Sequence, residues 1–386
     1  MRKNSPGKYE LGAKTPIDII NPLARKHHKT LVKLPAAMVQ ETSASVLYGP
    51  KDLRLDIVTL DDPGPTELQI QIKATTLCGS DLHYYKHYRN GDIQVREPLS
   101  LGHESAGVVH AVGSQVENFR VGDRVALEVG LPCGESMRFR SSAKAFPHAQ
   151  GTLQDIINHP AAWCHKLPDC ASLEAGALLE PLSVAIQATR RAEVTHGSSV
   201  LVLGAGAIGL LCAAVCQSIG ARHIVIADIQ PDRVQFAIKH GFASSEVTIP
   251  RKKGHSIDEE IQIARESAAL ARHRLQIEAE SEAAFDVVFE CTGVEACTQA
   301  AIYASRPGGM VVIVGMGNPI QTIPISAAAL PIELATSQNS GLPDLARIIT
   351  HRYHGLSEVK RAFEMAGETH DEEGNIVLKV LVEAGA

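Results

Sequence analysis

The sequence predicts an α/β protein that combines a β-rich, barrel-like domain with a doubly wound domain built on a parallel sheet. Short β-branched runs broken by Gly, Pro and Asp turns fill residues 45–73 and recur to about residue 130, which is typical of a barrel-like region. After residue 198, continuous apolar runs such as SVLVLG, HIVIAD and FDVVFE alternate with amphipathic stretches. That alternation indicates parallel strands covered by helices on both faces.

Length and composition agree with two domains. The 386 residues exceed what one hydrophobic core usually fills, and the 45% apolar content is enough for a core in each half. The net charge of −6 argues against nucleic acid or an anionic membrane as a partner, and no apolar run is long enough to span a bilayer. Eight scattered cysteines, none in a C-x-x-C pair, favour a reducing cytoplasm.

The first 37 residues differ from the rest of the chain. They are basic and proline-containing, without helical or strand periodicity, and we interpret residues 1–37 as a disordered tail. A mitochondrial presequence is the alternative, and it is disfavoured because the segment has only two arginines and carries Glu10 and Asp18. Met38 begins the first strand-like pattern.

Changes of pattern along the chain predict the domain boundaries. A helical stretch, SLEAGALLEPLSVAIQATRRA, separates the β-rich part from the alternating part, and residues 251–283 resemble a charged surface helix. The last part, beginning LPDLARIITHRYH, predicts two helices and a closing strand that rejoins the first domain. The predicted segments are 38–187 for the first part of the catalytic domain, 188–330 for the dinucleotide-binding domain, and 331–386 for the return segment.

A glycine fingerprint follows the first strand of the alternating part. In VLGAGAIG, Gly204, Gly206 and Gly209, with Ile208 between the last two, stand between an apolar strand and a helix. Such glycines allow a tight turn, close approach of the backbone to a pyrophosphate and close packing of helix on strand. A lone G-x-G-x-x-G is weak support, but its place between strand and helix predicts dinucleotide binding.

An acidic residue ends the next strand. Asp228 comes nineteen residues after the last glycine, a spacing that suits a carboxylate on the adenosine ribose hydroxyls. Because it would repel a 2′-phosphate, Asp228 favours NAD over NADP. Arg233 is a candidate for the adenine or a phosphate, although a solvated helix arginine is nearly as good an interpretation.

Four side chains predict one catalytic metal site. Cys78 stands on a Gly-containing turn in TTLCGSDLHYY, and His103 and Glu104 follow in SLGHESAG. Cysteine, histidine and carboxylate are zinc ligands, and three protein ligands with one open position mark a catalytic zinc. Glu180, in LLEPLSV, lies at the predicted domain junction. Each residue alone is better explained as an ordinary buried or surface residue. Together, and beside a dinucleotide motif, the four residues indicate a Zn²⁺ site.

These motifs resemble the zinc-dependent medium-chain dehydrogenases, and most closely their polyol branch of sorbitol, xylitol and L-arabinitol dehydrogenases. The resemblance runs from about Met38 onward and is most specific in CGSDLHYY, LGHESAG, HPAAWCHKLPD, LLEPLSVAIQA, VLGAGAIG and FECTG. It implies a GroES-like catalytic domain, a Rossmann domain and homo-oligomeric assembly. The implied reaction is NAD-dependent oxidation of a secondary alcohol to a ketose, with zinc as a Lewis acid.

The same resemblance implies roles for individual residues. It gives Cys78, His103 and Glu104 to the metal, and Glu180 to the metal directly or through water. It places Ser80 and Tyr84 near the substrate and its proton path, with His83 as a further candidate for proton exit. Along VVIVGMG it places residues beside the nicotinamide, namely Val314, Gly315 and Met316.

Two departures from the family pattern limit the inference. Where relatives carry four cysteines for a structural zinc, only Cys133 remains, so one catalytic zinc and no structural zinc is expected. After TIPISAAAL the chain lacks an apolar strand and a Phe-Arg-Tyr segment, which weakens the expected subunit interface and removes a substrate-binding arginine. The alternatives are therefore a non-catalytic remnant, a dehydrogenase of another diol or secondary alcohol, and, least favoured, a zinc-free quinone reductase.

Overall fold

The computed structural model describes residues 40–132, 137–279, 284–318, 320–328 and 345–384. Three sequence predictions therefore lie outside the described residues. They concern the tail at residues 1–37, the lone Cys133 and the segment in which a strand is predicted to be missing.

The described chain begins with strands and continues as an alternation of strands and helices. The strands are β1 (Gln40–Gly49), β2 (Asp52–Leu60), β3 (Glu67–Thr76), β4 (Arg89–Asn90), β5 (Ile93–Gln94), β6 (Leu99–Ser100), β7 (Glu104–Val112), β8 (Arg124–Leu127), β9 (Gly130–Pro132), β10 (Met137–Phe139), β11 (Ile156–Pro160), β12 (Cys164–Lys166), β13 (Ser199–Leu203), β14 (His223–Asp228), β15 (Ser245–Thr248), β16 (Phe285–Glu290), β17 (Ser305–Ile313), β18 (Ile349–His354) and β19 (Lys379–Glu383). The α-helices are α1 (Gly79–His87), α2 (Leu173–Ala177), α3 (Leu179–Arg191), α4 (Ala207–Ile219), α5 (Pro231–Lys239), α6 (Ile257–Ala279), α7 (Glu295–Ala304), α8 (Ile325–Ala328) and α9 (Val359–Ala366). Short 3-10 helices cover Ala161–Trp163, Leu345–Ile348 and Leu356–Glu358.

The β-rich half is built on a mixed sheet. Its strand order is β12-β8-β7-β3-β19-β18, and β11 also pairs with β3. Alternate side chains of β3 point into the core, where Leu68, Ile70 and Ile72 are at most 2% exposed. Burying each such side chain stabilises the fold by about 1.5–3 kcal/mol. Three metal-ligand candidates lie beside this sheet, with Cys78 at the N-cap of α1 and His103 and Glu104 at the start of β7, whereas Glu180 lies on α3.

Within the residues that the structure describes, the second half is a parallel sheet of five strands in the order β15-β14-β13-β16-β17. All five residues of β13 are buried, as expected for a strand covered by helices on both faces. The chain turns from one side of β13 to the other when it reaches β16, which creates a crevice at the carboxyl ends of these two strands. The predicted fold class, a β-rich domain joined to a doubly wound one, is confirmed.

Three local predictions need comment. The first helix predicted after residue 341 is wrong, because residues Leu345–Ile348 form a 3-10 helix and Ile349–His354 form β18, which pairs parallel with β19. β-branched Ile349 and Thr350 favour the extended conformation. The helical stretch around Glu180 is divided into α2 and α3 at Leu178. The charged helix is α6, and no described helix is both long and apolar enough to cross a bilayer.

Candidate metal centre and dinucleotide cleft

Three of the predicted ligands meet in the structure. The Cys78 thiol, a ring nitrogen of His103 and a carboxylate oxygen of Glu104 all lie within 4.8 Å of one another. Cys78 is the N-cap of α1, and the other two stand where β7 begins. Gly102 precedes them with φ +90°, and a Cβ there would lie 2.9 Å from the Leu153 side chain, so glycine is required to bring the His-Glu pair into place.

A buried carboxylate orients the histidine. Asp81, on the first turn of α1, is fully buried, and its Oδ1 lies 3.2 Å from His103 Nδ1. It also accepts hydrogen bonds from the Gly102 amide at 3.2 Å and from the Ser141 hydroxyl. Since metal-ligating histidines commonly donate their other ring N–H to a carboxylate, Asp81 leaves Nε2 of His103 as the nitrogen available to a metal.

A buried lysine neutralises Glu104. The Lys379 ammonium on β19 lies 2.7 Å and 2.6 Å from the two carboxylate oxygens, and both side chains are at most 6% exposed. The Thr76 hydroxyl donates a further hydrogen bond to the same carboxylate. Although burial opposes a charged ammonium, Glu104 and Cys78 raise the pKa of Lys379 above its usual value. The ion pair therefore places a positive charge directly beside the buried Glu104 carboxylate.

Glu180 adds a further carboxylate near the cluster, although it is not among the three convergent donors. It lies in the first turn of α3, close enough to Glu104, His103 and Lys379 for their charges to affect its ionisation. Burial, and then repulsion by Glu104, raise the pKa of Glu180 to about 7. A carboxyl group with such a pKa can hold or release a proton near neutral pH.

The donor set fits a zinc ion. One thiol, one imidazole and one carboxylate match the ligands of catalytic zinc sites, and the hydrogen-bonded Asp81 supplies the usual partner of a zinc-bound histidine. Burial opposes protonation of His103, but Asp81 and Cys78 more than offset it and raise the pKa of that ring well above its usual value. A metal ion would displace this proton, because zinc binds the neutral ring.

Two adjoining cavities connect this cluster with the glycine fingerprint. The inner cavity has a volume of about 240 Å³ and is lined by Cys78, Glu104, Lys379, Gly206 and Ile208, among others. The outer cavity, of about 570 Å³, is lined among others by Gly204, Gly206 and Asp228. Both are bordered by Gly206, Arg233 and Cys291. Two predicted metal ligands and several predicted cofactor residues thus line two adjoining cavities: Cys78, Glu104, Gly204, Gly206, Ile208, Asp228 and Arg233.

Each glycine of the fingerprint is explained by a different structural requirement. Gly204 has φ +103°, and a Cβ on Gly209 would lie 1.9 Å from the Gly204 carbonyl, so helix α4 packs closely on β13 only with glycine there. A Cβ on Gly206 would meet nothing closer than the Arg233 guanidinium at 4.0 Å. Gly206 instead leaves open the space above the N-terminus of α4, where a phosphate is favoured.

Asp228 and Arg233 stand at the positions expected from the sequence. The Asp228 carboxylate accepts hydrogen bonds from the Ala205 amide at 2.7 Å and the Gln230 amide at 2.9 Å, which fix it at the rim of the outer cavity. Arg233 donates to the Val377 carbonyl at 2.9 Å, and its Nε has no hydrogen-bond partner. Its guanidinium borders both cavities beside Gly206, which suits a phosphate more than the adenine.

The proton-path candidates on α1 are distributed over different faces. Ser80 is half-buried in the first turn, and His83 is exposed, its ring 6.1 Å from that of His87. Tyr84 is 2% exposed within the core, where its hydroxyl accepts a 3.3 Å hydrogen bond from the Ala143 amide. None of these three side chains borders the inner or outer cavity as described, and their roles stay predictions.

The residues predicted to line the nicotinamide follow β17. The Val314 and Gly315 amides donate to the Glu290 carbonyl at 2.8 Å and 2.9 Å, and a Cβ on Gly315 would lie 2.1 Å from the Gly293 nitrogen. Met316 is 65% exposed. They lie beside the crevice end of the sheet but border neither cavity, so their contact with nicotinamide stays a prediction.

Sequence reasoning missed the two residues that support the ligands. Asp81 lies three residues after Cys78, a spacing that puts it on the same turn of α1, and this signal was available in CGSD. Lys379 stands out as a lysine in the apolar run IVLKVLV, but nothing in the sequence pairs it with Glu104, 275 residues away.

Family comparison accords with this geometry. Residues 64–169 match the model of the alcohol dehydrogenase GroES-like domain, and residues 207–341 match that of the zinc-binding dehydrogenases. The chain is 35% identical over 356 residues to sorbitol dehydrogenase from Homo sapiens, covering 86% of this chain and 94% of the relative. It belongs to the zinc-dependent medium-chain dehydrogenases, in their polyol branch. The resemblance inferred from the sequence motifs is thereby confirmed.

Other relatives of this medium-chain dehydrogenase are similar over comparable lengths. Sorbitol dehydrogenase from Arabidopsis thaliana is 35% identical over 370 residues, covering 89% of this chain and 95% of the relative. Among solved structures, 2R,3R-butanediol dehydrogenase from Bacillus subtilis superposes with a TM-score of 0.70 at 25% identity, covering 89% of this chain and 99% of that one. L-idonate 5-dehydrogenase from Escherichia coli, at 24% identity and a TM-score of 0.73, shares the fold over 90% of this chain and 99% of its own.

Proposed function

We propose that this chain is an NAD- and zinc-dependent polyol dehydrogenase that oxidises a secondary alcohol of a sorbitol-, xylitol- or L-arabinitol-like substrate to a ketose. The inner cavity supports the proposal, because Cys78 and Glu104 of the ligand cluster line it together with Gly206 of the fingerprint. A bound alcohol would there lie between the metal and the nicotinamide. The similarity to sorbitol dehydrogenases favours a polyol as the substrate class.

The chain's own residues supply positioning and proton transfer. Zinc, when held by Cys78, His103 and Glu104, would contribute Lewis acidity, and NAD would contribute the hydride acceptor. Asp81 fixes the ring of His103, and Lys379 fixes the carboxylate of Glu104. Glu180, with a pKa of about 7, accepts or relays the alcohol proton directly or through water, and Ser80 and His83 on α1 are the predicted exit toward solvent.

Two alternatives remain distinct in their expected behaviour. A remnant enzyme would keep zinc and NAD but fail to turn over substrate, because the Phe-Arg-Tyr segment of relatives is missing from the sequence. A dehydrogenase of another diol would instead turn over a substrate such as 2,3-butanediol fastest, and a structurally similar protein from Bacillus subtilis is a 2R,3R-butanediol dehydrogenase. A cytoplasmic location and homo-oligomeric assembly stay predictions of the same proposal.

One experiment separates these possibilities. The purified full chain is analysed for metal by mass spectrometry, and NADH absorbance is followed with sorbitol, xylitol, L-arabinitol, 2,3-butanediol and 2-propanol. The proposal expects one zinc per chain and fastest turnover with a polyol, abolished by a chelator and restored by zinc. Preference for butanediol would select the other-diol enzyme, and bound zinc without any turnover would select the remnant.

Asp228 is expected to set the cofactor preference. Replacing it with serine, Asp228→Ser, should raise the KM for NAD about tenfold and shift the ratio of kcat/KM values toward NADP about a hundredfold, because the carboxylate that repels a 2′-phosphate is gone. Steady-state kinetics with both cofactors measure the shift. Replacement of the exposed Asp92, as Asp92→Ser, is the matched control. An unchanged ratio for the Asp228 variant would show that this carboxylate does not contact the cofactor.

Gly206→Ala is expected to weaken NAD binding about tenfold to thirtyfold while leaving the folded state intact. The backbone at Gly206 has φ −80° and ψ −176°, which alanine adopts, and the new methyl group projects into open space. That space is where the pyrophosphate must approach. Fluorescence titration with NADH and thermal unfolding measure the two effects, with Gly130→Ala, also free of close contacts, as the control. Unweakened binding would contradict the assignment of the fingerprint.

A further inference from the structure

A third cavity lies in the β-rich half, apart from the dinucleotide cleft. This hairpin cavity has a volume of about 430 Å³ and is bordered by the β1–β2 hairpin on one side and by β11 on the other. None of its lining residues borders the inner or outer cavity. Its polar lining includes Arg140, Gln150, Gln154, Asn158 and Asp56.

Arg140 gives this cavity a fixed cation. The guanidinium donates to His159 Nδ1 at 3.0 Å, to the Gln150 carbonyl at 2.8 Å and to the Asn158 carbonyl. These three bonds hold the planar group in place and use three of its five N–H donors. The other two N–H donors are on the same Arg140 side chain, which borders the hairpin cavity.

The positive charge lacks a direct counter-ion. Among the described residues, no carboxylate lies within ion-pair distance of Arg140, whose three described partners are all neutral acceptors. Desolvation lowers its pKa to about 10, which still leaves it charged at neutral pH. His159, desolvated and beside this cation, has its pKa lowered to about 3 and stays neutral. Glu67 raises the pKa of Arg140 through its charge without forming an ion pair, so the half-buried guanidinium is stabilised further if an anion binds directly to it.

Asp56, the acidic residue on the cavity wall, already has a hydrogen-bond partner. The Asp56 carboxylate accepts a hydrogen bond of 2.5 Å from the Tyr48 hydroxyl at the hairpin. Three amide side chains complete the wall, and each uses one N–H on a backbone carbonyl. These bonds run from Gln150 to Pro98, from Gln154 to Gly151 and from Asn158 to Asp61. Because an amide nitrogen carries two donors, each of the three retains a second N–H.

We propose that the hairpin cavity is a second small-molecule site that binds an oxyanion, a phosphate or carboxylate group, on Arg140. The side-chain amides of Gln150, Gln154 and Asn158 supply the neutral donors around it. Planar guanidinium groups match the geometry of such anions and bind them through paired hydrogen bonds. The ligand is a small anionic metabolite, because the volume is below that of a dinucleotide pocket and lies within the range of small-ligand sites.

Inorganic phosphate is the first probe. Isothermal titration of the full chain is carried out at constant ionic strength, with NAD saturating so that the phosphate-binding end of the dinucleotide cleft is filled. The expected result is one phosphate site that chloride at equal concentration does not occupy, with an increase in Tm by ligand linkage. Absence of phosphate and acetate binding would overturn the proposal. If phosphate binds more tightly than acetate, the natural ligand is assigned to phosphate compounds. If acetate binds more tightly, the ligand is assigned to carboxylates. Either result supports the site.

Charge changes at the rim test the location. Thr59 is exposed on β2 and borders the cavity, so Thr59→Glu adds a negative charge without disturbing packing, and Thr59→Gln is the neutral control. Thr59→Glu should weaken phosphate binding about fivefold relative to Thr59→Gln. Asp56→Asn should strengthen it about threefold. Equal affinities of the two Thr59 variants would place the anion elsewhere.

The arginine itself is tested by Arg140→Met. Phosphate binding should be lost while NAD affinity is unchanged. Because Arg140 also bonds two backbone carbonyls, circular dichroism first establishes whether this variant folds. Retained phosphate binding in a folded Arg140→Met chain overturns the proposal. If this variant does not fold, the phosphate affinities of the Thr59 and Asp56 variants test the proposal instead.

Discussion

Replacing Cys78 with alanine is expected to remove bound zinc and to lower kcat/KM for a polyol by at least about a thousandfold. The thiol is one of the three donors that converge within 4.8 Å, and two remaining ligands are too few for a catalytic zinc. Removal of the Lewis acid raises the barrier by the several kcal/mol that such an ion supplies. Metal analysis and steady-state kinetics on the same preparation measure both effects.

The matched control for this prediction is Cys170→Ala, because Cys170 is a free, exposed cysteine outside the cluster. It should keep one zinc per chain and normal turnover. Full zinc content in Cys78→Ala would show that the metal is held elsewhere, and full turnover in a zinc-free Cys78→Ala would contradict a zinc mechanism altogether.

Lys379→Met is expected to lower the free energy of unfolding of the metal-free protein by about 3–5 kcal/mol. The change leaves the Glu104 carboxylate, which is 1% exposed, without the ammonium group that lies 2.6 Å away. Breaking a buried ion pair from one side costs this much because the other charge stays buried. Urea unfolding of chelator-treated protein measures the loss.

A double variant shows whether the charge is the cause. Glu104→Gln removes the orphaned carboxylate charge, so Lys379→Met combined with Glu104→Gln should be more stable than Lys379→Met alone. Added zinc should also recover part of the lost stability in the single variant, because the ion replaces the missing positive charge. A single variant less than about 1 kcal/mol below wild type, or no recovery in the double variant, would contradict this account of the pair.

The sequence predicted those parts of the site that local pattern determines. Of the four donors predicted from short motifs, Cys78, His103 and Glu104 converge within 4.8 Å, whereas Glu180 lies outside that group. The fingerprint glycines were equally predictable, since a strand, a tight turn and a helix occur within one short stretch. In both cases the chemistry needs particular residue types at close spacing.

Residues whose roles depend on distant contacts were not predictable. Lys379 acts on Glu104 across 275 residues, and only the pairing of β19 with β3 brings them together. The sequence predicts a helix that includes residues 349–354, whereas parallel pairing with β19 makes them a strand. Tertiary pairing here overrode local preference.

The placement of β19 makes completion of the first sheet a long-range step in folding. This strand inserts between β3 and β18, so the sheet that carries the thiol and the imidazole stays open until residues 379–383 have left the ribosome. The described strands of the parallel sheet, by contrast, all lie within residues 199–313 and pair with one another. Until β19 docks onto β3, Glu104 therefore lacks the cationic neighbour that this strand supplies. The Glu104–Lys379 ion pair joins residues 275 positions apart, and contacts of such high sequence separation form slowly during folding.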